Sequence, residues 1–220
     1  MNARARVGGA LIVLEGMDGS GTTTQLDLVS ASLRAAGYTV VTTREPTSGP
    51  VGKFLRSALQ RQLTDQQGQT VDLDWAAMAL LFAADRVDHV EREIVPALDN
   101  GAIVLSDRYD LSSLLYQSLS SPLGNEALPW LRAINSRARR PDLTIVLDVH
   151  HEVAQARRNA RGGPLELYET SELQRLLSLG YQDAQALLPE DKIVTVGAEA
   201  PAAQICEEIT KMIEEFLRER

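Results

Sequence analysis

Gly16-Met17-Asp18-Gly19-Ser20-Gly21-Thr22-Thr23 lies between a short apolar run at residues 10–14 and an amphipathic pattern over residues 23–36. The apolar run is rich in strand formers, and the pattern that follows has the period of a helix. A glycine-rich loop between a strand and a helix is the context of a phosphate-binding loop, because its backbone amides and the helix dipole both favour an anion. The stretch therefore predicts a polyphosphate site.

The loop departs from the usual pattern at one position. Thr22 stands where such loops carry a lysine that reaches the β- and γ-phosphates, and a threonine hydroxyl is short and neutral. Thr23 still supplies the hydroxyl expected to bind magnesium, and Thr24 is a possible helper. A glycine turn that only joins strand to helix is the alternative interpretation. A dinucleotide-binding fingerprint fits less well, because the glycines run G-x-x-G-x-G.

Composition limits the class of protein. The chain has 220 residues and 44% hydrophobic content, enough for one core, and we expect a single domain over residues 1–220. The net charge of −8 argues against a general nucleic-acid or anionic-membrane surface and favours small-molecule partners. With a single cysteine, the chain cannot form an internal disulfide. The sequence lacks the long apolar segment that a signal peptide or a membrane span would require. We therefore expect a cytoplasmic protein.

The remaining apolar runs predict the fold. Residues 39–43, 102–106, 143–149 and 193–196 are typical of buried strands, and helical patterns separate them. With the first run, they predict an α/β fold whose parallel sheet, of about five strands, is covered by helices on both faces. Ligands of such sheets bind at the carboxyl ends of the strands. Polar residues follow three of the strands, at 16–24, 44–46 and 107–109.

Two pairs of residues support a nucleotide site, and each has a simpler interpretation. Phe82 and Arg86 lie one turn apart on a helix predicted over residues 75–98, so they could present a ring to a base and a guanidinium to its phosphate. Alternatively, Phe82 is core and Arg86 pairs with a carboxylate. Asp107 and Arg108 could hold magnesium and neutralise phosphate charge, or form an ordinary ion pair.

Together these motifs resemble the thymidylate kinase family. The resemblance rests on residues 16–24, 43–46, 80–86, 107–112, 116–117 and 141–148, and it extends over residues 10–190. It implies a three-layer nucleoside monophosphate kinase fold with a phosphate-binding loop. It also implies Mg²⁺-dependent transfer of the γ-phosphate of ATP to dTMP, giving dTDP and ADP for dTTP synthesis, by a homodimer.

The resemblance also implies sets of site residues. The ATP-binding set is Gly16, Asp18, Gly19, Ser20, Gly21, Thr22, Thr23, Thr24 and Arg157. The acceptor set is Asp18, Glu45, Pro46, Arg56, Phe82, Arg86, Arg108, Ser112, Tyr116 and Gln117, in which Phe82 stacks on thymine and Arg56 and Arg86 hold the monophosphate. The catalytic set is Asp18, Asp107, Arg108 and Arg161, and Thr23 and Asp107 are the magnesium ligands.

A second departure lies in the lid-like segment at about residues 151–169. Glu166 and Leu167 stand where family members commonly have an Asp-Arg pair. Arg157, Arg158 and Arg161 are the basic residues left in this segment, and we hypothesise that one of them replaces the missing lysine. Two alternatives stay open: a catalytically weak nucleotide-binding pseudokinase, and a kinase for another pyrimidine monophosphate.

Overall fold

The computed structural model describes residues 8–162, 168 and 171–220. Within these ranges five strands form one sheet: β1 (Ala10–Glu15), β2 (Val40–Arg44), β3 (Ile103–Asp107), β4 (Leu143–Asp148) and β5 (Ile193–Gly197). All paired strands are parallel, in the spatial order β2-β3-β1-β4-β5. The five apolar runs predicted to be strands are confirmed.

Helices connect the strands. They are α1 (Thr22–Ala35), α2 (Pro50–Leu59), α3 (Trp75–His89), α4 (Val95–Asp99), α5 (Asp110–Ser120), α6 (Leu128–Asn135), α7 (His151–Arg161), α8 (Ser171–Gln182), α9 (Ala184–Leu187) and α10 (Ala202–Arg218). In the part of the chain that the structure describes, no helix has the length and apolar character needed to cross a membrane.

Side chains of β1 alternate between two apolar clusters. Ile12 belongs to the larger cluster, with Val29 of α1 and Ile209 of α10, whereas Val13 packs with Ile94 on the opposite face. All five of these side chains, from strand and helices alike, have no exposed surface. Burial on both faces explains why the strand is continuously apolar. The predicted α/β fold with helices on both faces of a parallel sheet is confirmed.

The helix predicted over residues 75–98 is not uniform. α3 ends at His89, a π-helical turn covers Val90–Ile94, and α4 continues from Val95. Pro96 explains the change, because proline has no N–H to donate and its ring clashes with the carbonyl group four residues earlier. The π turn keeps the segment helical past this proline.

Parallel strands bring distant parts of the chain to one edge of the sheet. The phosphate-binding loop follows β1, Glu45 follows β2, Arg108 follows β3 and α7 begins shortly after β4. The three polar motifs predicted to follow strands therefore meet at the carboxyl edge, where ligands of such sheets bind.

Candidate active site

The phosphate-binding loop connects β1 to α1 by a backbone path that needs glycine. Gly19 has a φ of +89°, and a Cβ placed on it would lie 2.4 Å from the carbonyl oxygen of Ala154 in α7. Gly21, at a φ of +100°, is the N-cap of α1, and Thr22 is its first residue. The loop thus packs directly against α7, which leaves no room for a side chain at position 19.

Two buried oxygens mark the region beside this loop. Thr23 donates a hydrogen bond from its hydroxyl to Oδ2 of Asp107, at 2.5 Å. The other carboxylate oxygen of Asp107 and the hydroxyl of Ser20 are buried and have no hydrogen-bond partner within the described ranges. Unpartnered buried oxygens are uncommon in native proteins and here point to a bound group that completes them.

The Thr23 and Asp107 oxygens fit Mg²⁺. This ion prefers oxygen ligands and is usually held by one or two carboxylates together with substrate phosphates. No cluster of three or more histidine, cysteine or acidic side chains suited to a metal occurs in the described part of the chain. The hydroxyl and carboxylate oxygens of Thr23 and Asp107 are donors of the type that this ion prefers.

Asp18, Arg108 and Tyr116 form a closed triangle at the rim of the loop. Arg108 donates to Oδ1 of Asp18 at 2.5 Å and to the Tyr116 hydroxyl at 3.0 Å, and that hydroxyl donates to Oδ2 of Asp18 at 3.1 Å. Burial opposes the charge of Arg108, but Tyr116 and Asp18 raise its pKa well above the ordinary value. Arg108 also has a φ of +71°, a strained conformation that aims its side chain across the site.

A pocket opens beside Asp18 and contains about 610 Å³ of space, part of it open to solvent. Its lining residues are Asp18, Glu45, Pro46, Leu59, Phe82, Arg86, Arg108, Tyr109, Ser112, Ser113, Tyr116, Gln117 and Tyr168. Nine of the ten residues expected to contact the acceptor are among them. Arg56 is the exception.

Gln117 and Tyr168 form one wall of the pocket. The amide of Gln117 donates to the Tyr168 hydroxyl at 3.4 Å, and its buried carbonyl oxygen has no partner among the residues described. Tyr168 packs edge to face on Tyr116, with ring centroids 5.5 Å apart. The wall is aromatic and offers one free acceptor, which suits a flat polar ring.

Arg86 is held below the pocket by several acceptors. Its guanidinium donates to Glu45 at 2.8 Å, to Ser113 at 2.9 Å, to the Tyr109 carbonyl at 3.1 Å and to Asn135. Its side chain is 1% exposed and that of Glu45 is 4% exposed. The simpler interpretation, an ion pair with a carboxylate, is thus present in the structure, and it coexists with a place in the pocket lining.

Glu45 has a second partner that the sequence pattern did not indicate. Nδ1 of His89 lies 3.0 Å from Glu45, and Nε2 of His89 lies 2.6 Å from the Thr43 hydroxyl. His89 is fully buried at the end of α3. It follows Phe82 and Arg86 at helical spacing, and this is the signal that could have revealed it.

Arg56 lies next to the pocket. Its guanidinium donates to the Pro46 carbonyl at 2.7 Å and to the Thr47 carbonyl. Asp85 accepts from the Thr47 amide at 2.7 Å and from its hydroxyl at 2.6 Å. The turn after β2 is therefore held from α2 by Arg56 and from α3 by Asp85.

Two arginines of α7 reach the phosphate-binding loop. Arg158 donates to the main-chain carbonyl of Asp18 and, at 3.1 Å, to the Gln174 side chain. Arg157 lies 3.4 Å from the Ser20 carbonyl. Both guanidinium groups thus lie at the loop that lacks the lysine. The side chain of Arg161, like residues 163–167 and 169–170, lies outside what the structure describes.

Comparison with known proteins agrees with this geometry. The family model for thymidylate kinase matches residues 14–209. A protein of Pyrococcus abyssi named "Probable thymidylate kinase" is 38% identical over 210 residues, covering 95% of this chain and 98% of that protein. A thymidylate kinase of Caldicellulosiruptor saccharolyticus is 36% identical over 213 residues, covering 96% and 99%. One from Symbiobacterium thermophilum is 35% identical over 209 residues, covering 95% and 94%. The chain belongs to the thymidylate kinase family.

Proposed function

We propose that this protein transfers the γ-phosphoryl group of ATP to dTMP, giving dTDP and ADP. One observation carries the proposal: Asp18 belongs to the phosphate-binding loop, lines the acceptor pocket and bonds to both Arg108 and Tyr116. Donor and acceptor sites therefore meet at a single residue. Holding two phosphates at such a junction in the right orientation is most of what catalysis of phosphoryl transfer requires.

The acceptor nucleotide occupies the pocket between Phe82 and Gln117. Phe82 lies on the pocket surface, where its ring can stack on the base, and the free carbonyl oxygen of Gln117 can accept a hydrogen bond from a base N–H. Arg56 and Arg86 supply positive charge for the monophosphate. Arg86 acts mainly through the groups that it holds in place, since several of its N–H groups already have protein partners.

Arg157 and Arg158 take the role of the missing lysine. They donate to carbonyl groups of the phosphate-binding loop, and an incoming triphosphate offers them stronger, charged acceptors. Because Gly19 contacts Ala154 of α7, this helix already lies over the loop. We therefore propose that α7 belongs to a lid at about residues 151–169 whose arginines neutralise phosphate charge.

Thr23 and Asp107 would hold Mg²⁺ in this proposal. The ion, when bound, would offset the negative charge of the phosphates. Within the protein, the Thr23 hydroxyl fixes one oxygen of Asp107 and leaves the other directed into the site without a described partner. Arg108, held by Asp18 and Tyr116, is the nearby cation that stabilises the transferring group.

A coupled assay of ADP release tests the proposal with ATP, Mg²⁺ and a panel of nucleoside monophosphates. We expect turnover with dTMP. Arg157→Ala and Arg158→Ala should each lower kcat by about tenfold to a hundredfold, the worth of a hydrogen bond to a charged group. Arg175→Ala is the matched control, because Arg175 lies on the surface of α8 and pairs with Glu172. Thr22→Lys should restore part of the activity that the arginine variants lose.

Other outcomes select the alternatives. Binding of dTMP by calorimetry without turnover of any acceptor would identify a nucleotide-binding pseudokinase. A higher kcat/KM with another pyrimidine monophosphate would change the acceptor and keep the chemistry. The homodimer and the cytoplasmic location stay predictions, which analytical ultracentrifugation and cell fractionation can test.

A further inference from the structure

Glu15 is a buried carboxylate that the proposed chemistry does not use. It is the last residue of β1, directly before Gly16 of the phosphate-binding loop, and it has no exposed surface. A carboxyl group in such a place is costly unless hydrogen bonds compensate it. Its partners therefore show what it does for the fold.

The main partners of Glu15 lie at the start of α5. Oε1 accepts from the amide of Tyr109 at 2.9 Å and from the amide of Ser112 at 3.2 Å. Oε2 accepts from the Ser112 hydroxyl at 2.5 Å and lies 3.4 Å from the Tyr181 hydroxyl of α8. Glu15 thus connects the end of β1 to two helices.

The two amides are those that a capping box would satisfy. In a capping box, the N-cap side chain accepts from the third residue of the helix, and the side chain of that residue accepts from the N-cap amide. Tyr109 is the N-cap residue of α5, but its side chain makes no capping hydrogen bond. Ser112 is the third residue of this helix. Oε1 of Glu15, which lies far away in the sequence, accepts from both amides and so takes the place of the two side chains of a capping box.

The helix capped in this way carries much of the acceptor pocket. Ser112, Ser113, Tyr116 and Gln117 all belong to α5 and line the pocket. Glu15 is joined by one peptide bond to the donor loop and by hydrogen bonds to the acceptor helix. Asp18 also joins the loop to α5, through Tyr116, but it does so at the rim of the loop, whereas Glu15 has no exposed surface.

We propose that Glu15 is a positioning residue that fixes α5, and with it the acceptor, relative to the phosphate-binding loop. The inference rests on the proposed function for its kinetic consequence, because KM for dTMP reports on the pocket that α5 carries. Its structural consequence, protection of the Tyr109 and Ser112 amides, is independent of any activity.

The charge state of Glu15 is compatible with this role. Burial raises the pKa of its carboxyl to about 7, opposed by the Ser112 hydrogen bonds and the charge of Arg108. The phenol of Tyr181, whose own pKa burial raises well above its ordinary value, is the other titratable group facing it. A proton added at Oε2 can be donated to the Ser112 or Tyr181 hydroxyl, so Oε1 still accepts from both amides.

Substitution of Glu15 tests the proposal by two measurements. Glu15→Ala should raise KM for dTMP by about tenfold or more, the effect of losing hydrogen bonds of this kind, and leave KM for ATP within about twofold. Hydrogen exchange at the Tyr109 and Ser112 amides should become faster. Glu15→Gln should restore both values, because its carbonyl oxygen can accept from the same two amides.

Asp142→Ala is the matched control at the opposite end of β1. Asp142 accepts from the Leu11 amide at 2.8 Å and pairs with Arg139 and Arg220, so its loss removes several polar contacts far from the pocket. We expect it to lower stability without changing KM for dTMP. An equal rise of KM in both variants would reduce Glu15 to a general stabiliser and overturn the proposal.

Tyr181→Phe keeps the experiment decisive if Glu15→Ala does not fold. It removes only the hydroxyl that contacts Glu15 and, at 2.8 Å, Ser112. KM for dTMP should then rise by about two- to tenfold, the effect of one neutral hydrogen bond, with faster exchange at the Ser112 amide. Unchanged KM and unchanged exchange would overturn the proposal. If the natural protein does not turn over dTMP, the exchange measurement still decides this inference while the proposed function fails.

Discussion

Arg86→Lys tests whether the hydrogen bonds of the buried guanidinium group matter for stability or only its positive charge. Arg86 donates to Glu45, Ser113, Asn135 and the Tyr109 carbonyl, and its side chain is 1% exposed. Lysine keeps the charge but has three N–H groups on a single atom. It cannot reach four acceptors arranged around a planar fork.

The size of the effect follows from the acceptors that lose their donor. At least one, and by geometry two, of the four acceptors should lose the donor that they have in this buried cluster. Each buried unpaired group costs about 1–3 kcal/mol, so two of them should lower the free energy of unfolding by about 2–6 kcal/mol. That is a large part of the ~5–15 kcal/mol typical of a folded domain.

Urea unfolding measures this difference, with Arg61→Lys as the matched control. Arg61 pairs with Asp72 at the surface, where the two side chains are 55% and 46% exposed, and such a pair contributes at most about 1 kcal/mol. Calorimetry with dTMP should also show weaker binding, since Glu45 and Ser113 line the pocket. If Arg86→Lys is no less stable than Arg61→Lys, the hydrogen-bonded framework does not matter and the reasoning is refuted.

Three further changes have defined outcomes. Burial raises the pKa of Glu15 from 4.5 to about 7, so between these pH values the folded state holds a proton that the unfolded state releases. The stability of the natural protein relative to Glu15→Gln should therefore fall by about 3 kcal/mol as pH rises from 4.5 to 7. Urea unfolding measures this slope, and a flat profile would show that the pKa is not raised. Gly19→Ala should destabilise the protein by about 1–3 kcal/mol more than Gly21→Ala. Both positions have positive φ, but only a Cβ at Gly19 would clash with a neighbour, the carbonyl group of Ala154 in α7. Equal melting temperatures for the two variants would contradict this clash. Asp107→Asn should raise the Mg²⁺ concentration for half-maximal turnover by about tenfold or more, and an unchanged Mg²⁺ dependence would remove Asp107 from the metal site.

Local patterns were sufficient to predict the sheet and the glycine-rich loop between β1 and α1. Strand formation in a two-sided parallel sheet requires a continuous apolar run, and this run is visible in a few neighbouring residues such as 10–14. The loop motif is equally local. The apolar period alone does not predict the π turn at residues 90–94, because it takes no account of Pro96.

The buried polar contacts could not be predicted in the same way. Arg86 meets Asn135 from 49 residues away, and Glu15 meets Ser112 from 97 residues away. Contacts between residues so far apart in the sequence produce no periodic pattern, because they depend on how α5 and α6 pack on the sheet. The family resemblance pointed to Arg86 but not to the acceptors that hold it, and these decide how much of its charge a substrate can use.

The placement of acceptor contacts on α5 has a consequence for redesign. Ser112 and Tyr116 are four residues apart, as are Ser113 and Gln117, so two adjacent stripes of one helix face the same cavity. The two stripes differ in what else they hold: Ser112 and Tyr116 bond to Glu15 and Asp18 at the loop after β1, whereas Ser113 and Gln117 bond to Arg86 and Tyr168. Exchanging only Ser113 and Gln117 should therefore change which base is accepted and keep the contacts between α5 and the loop.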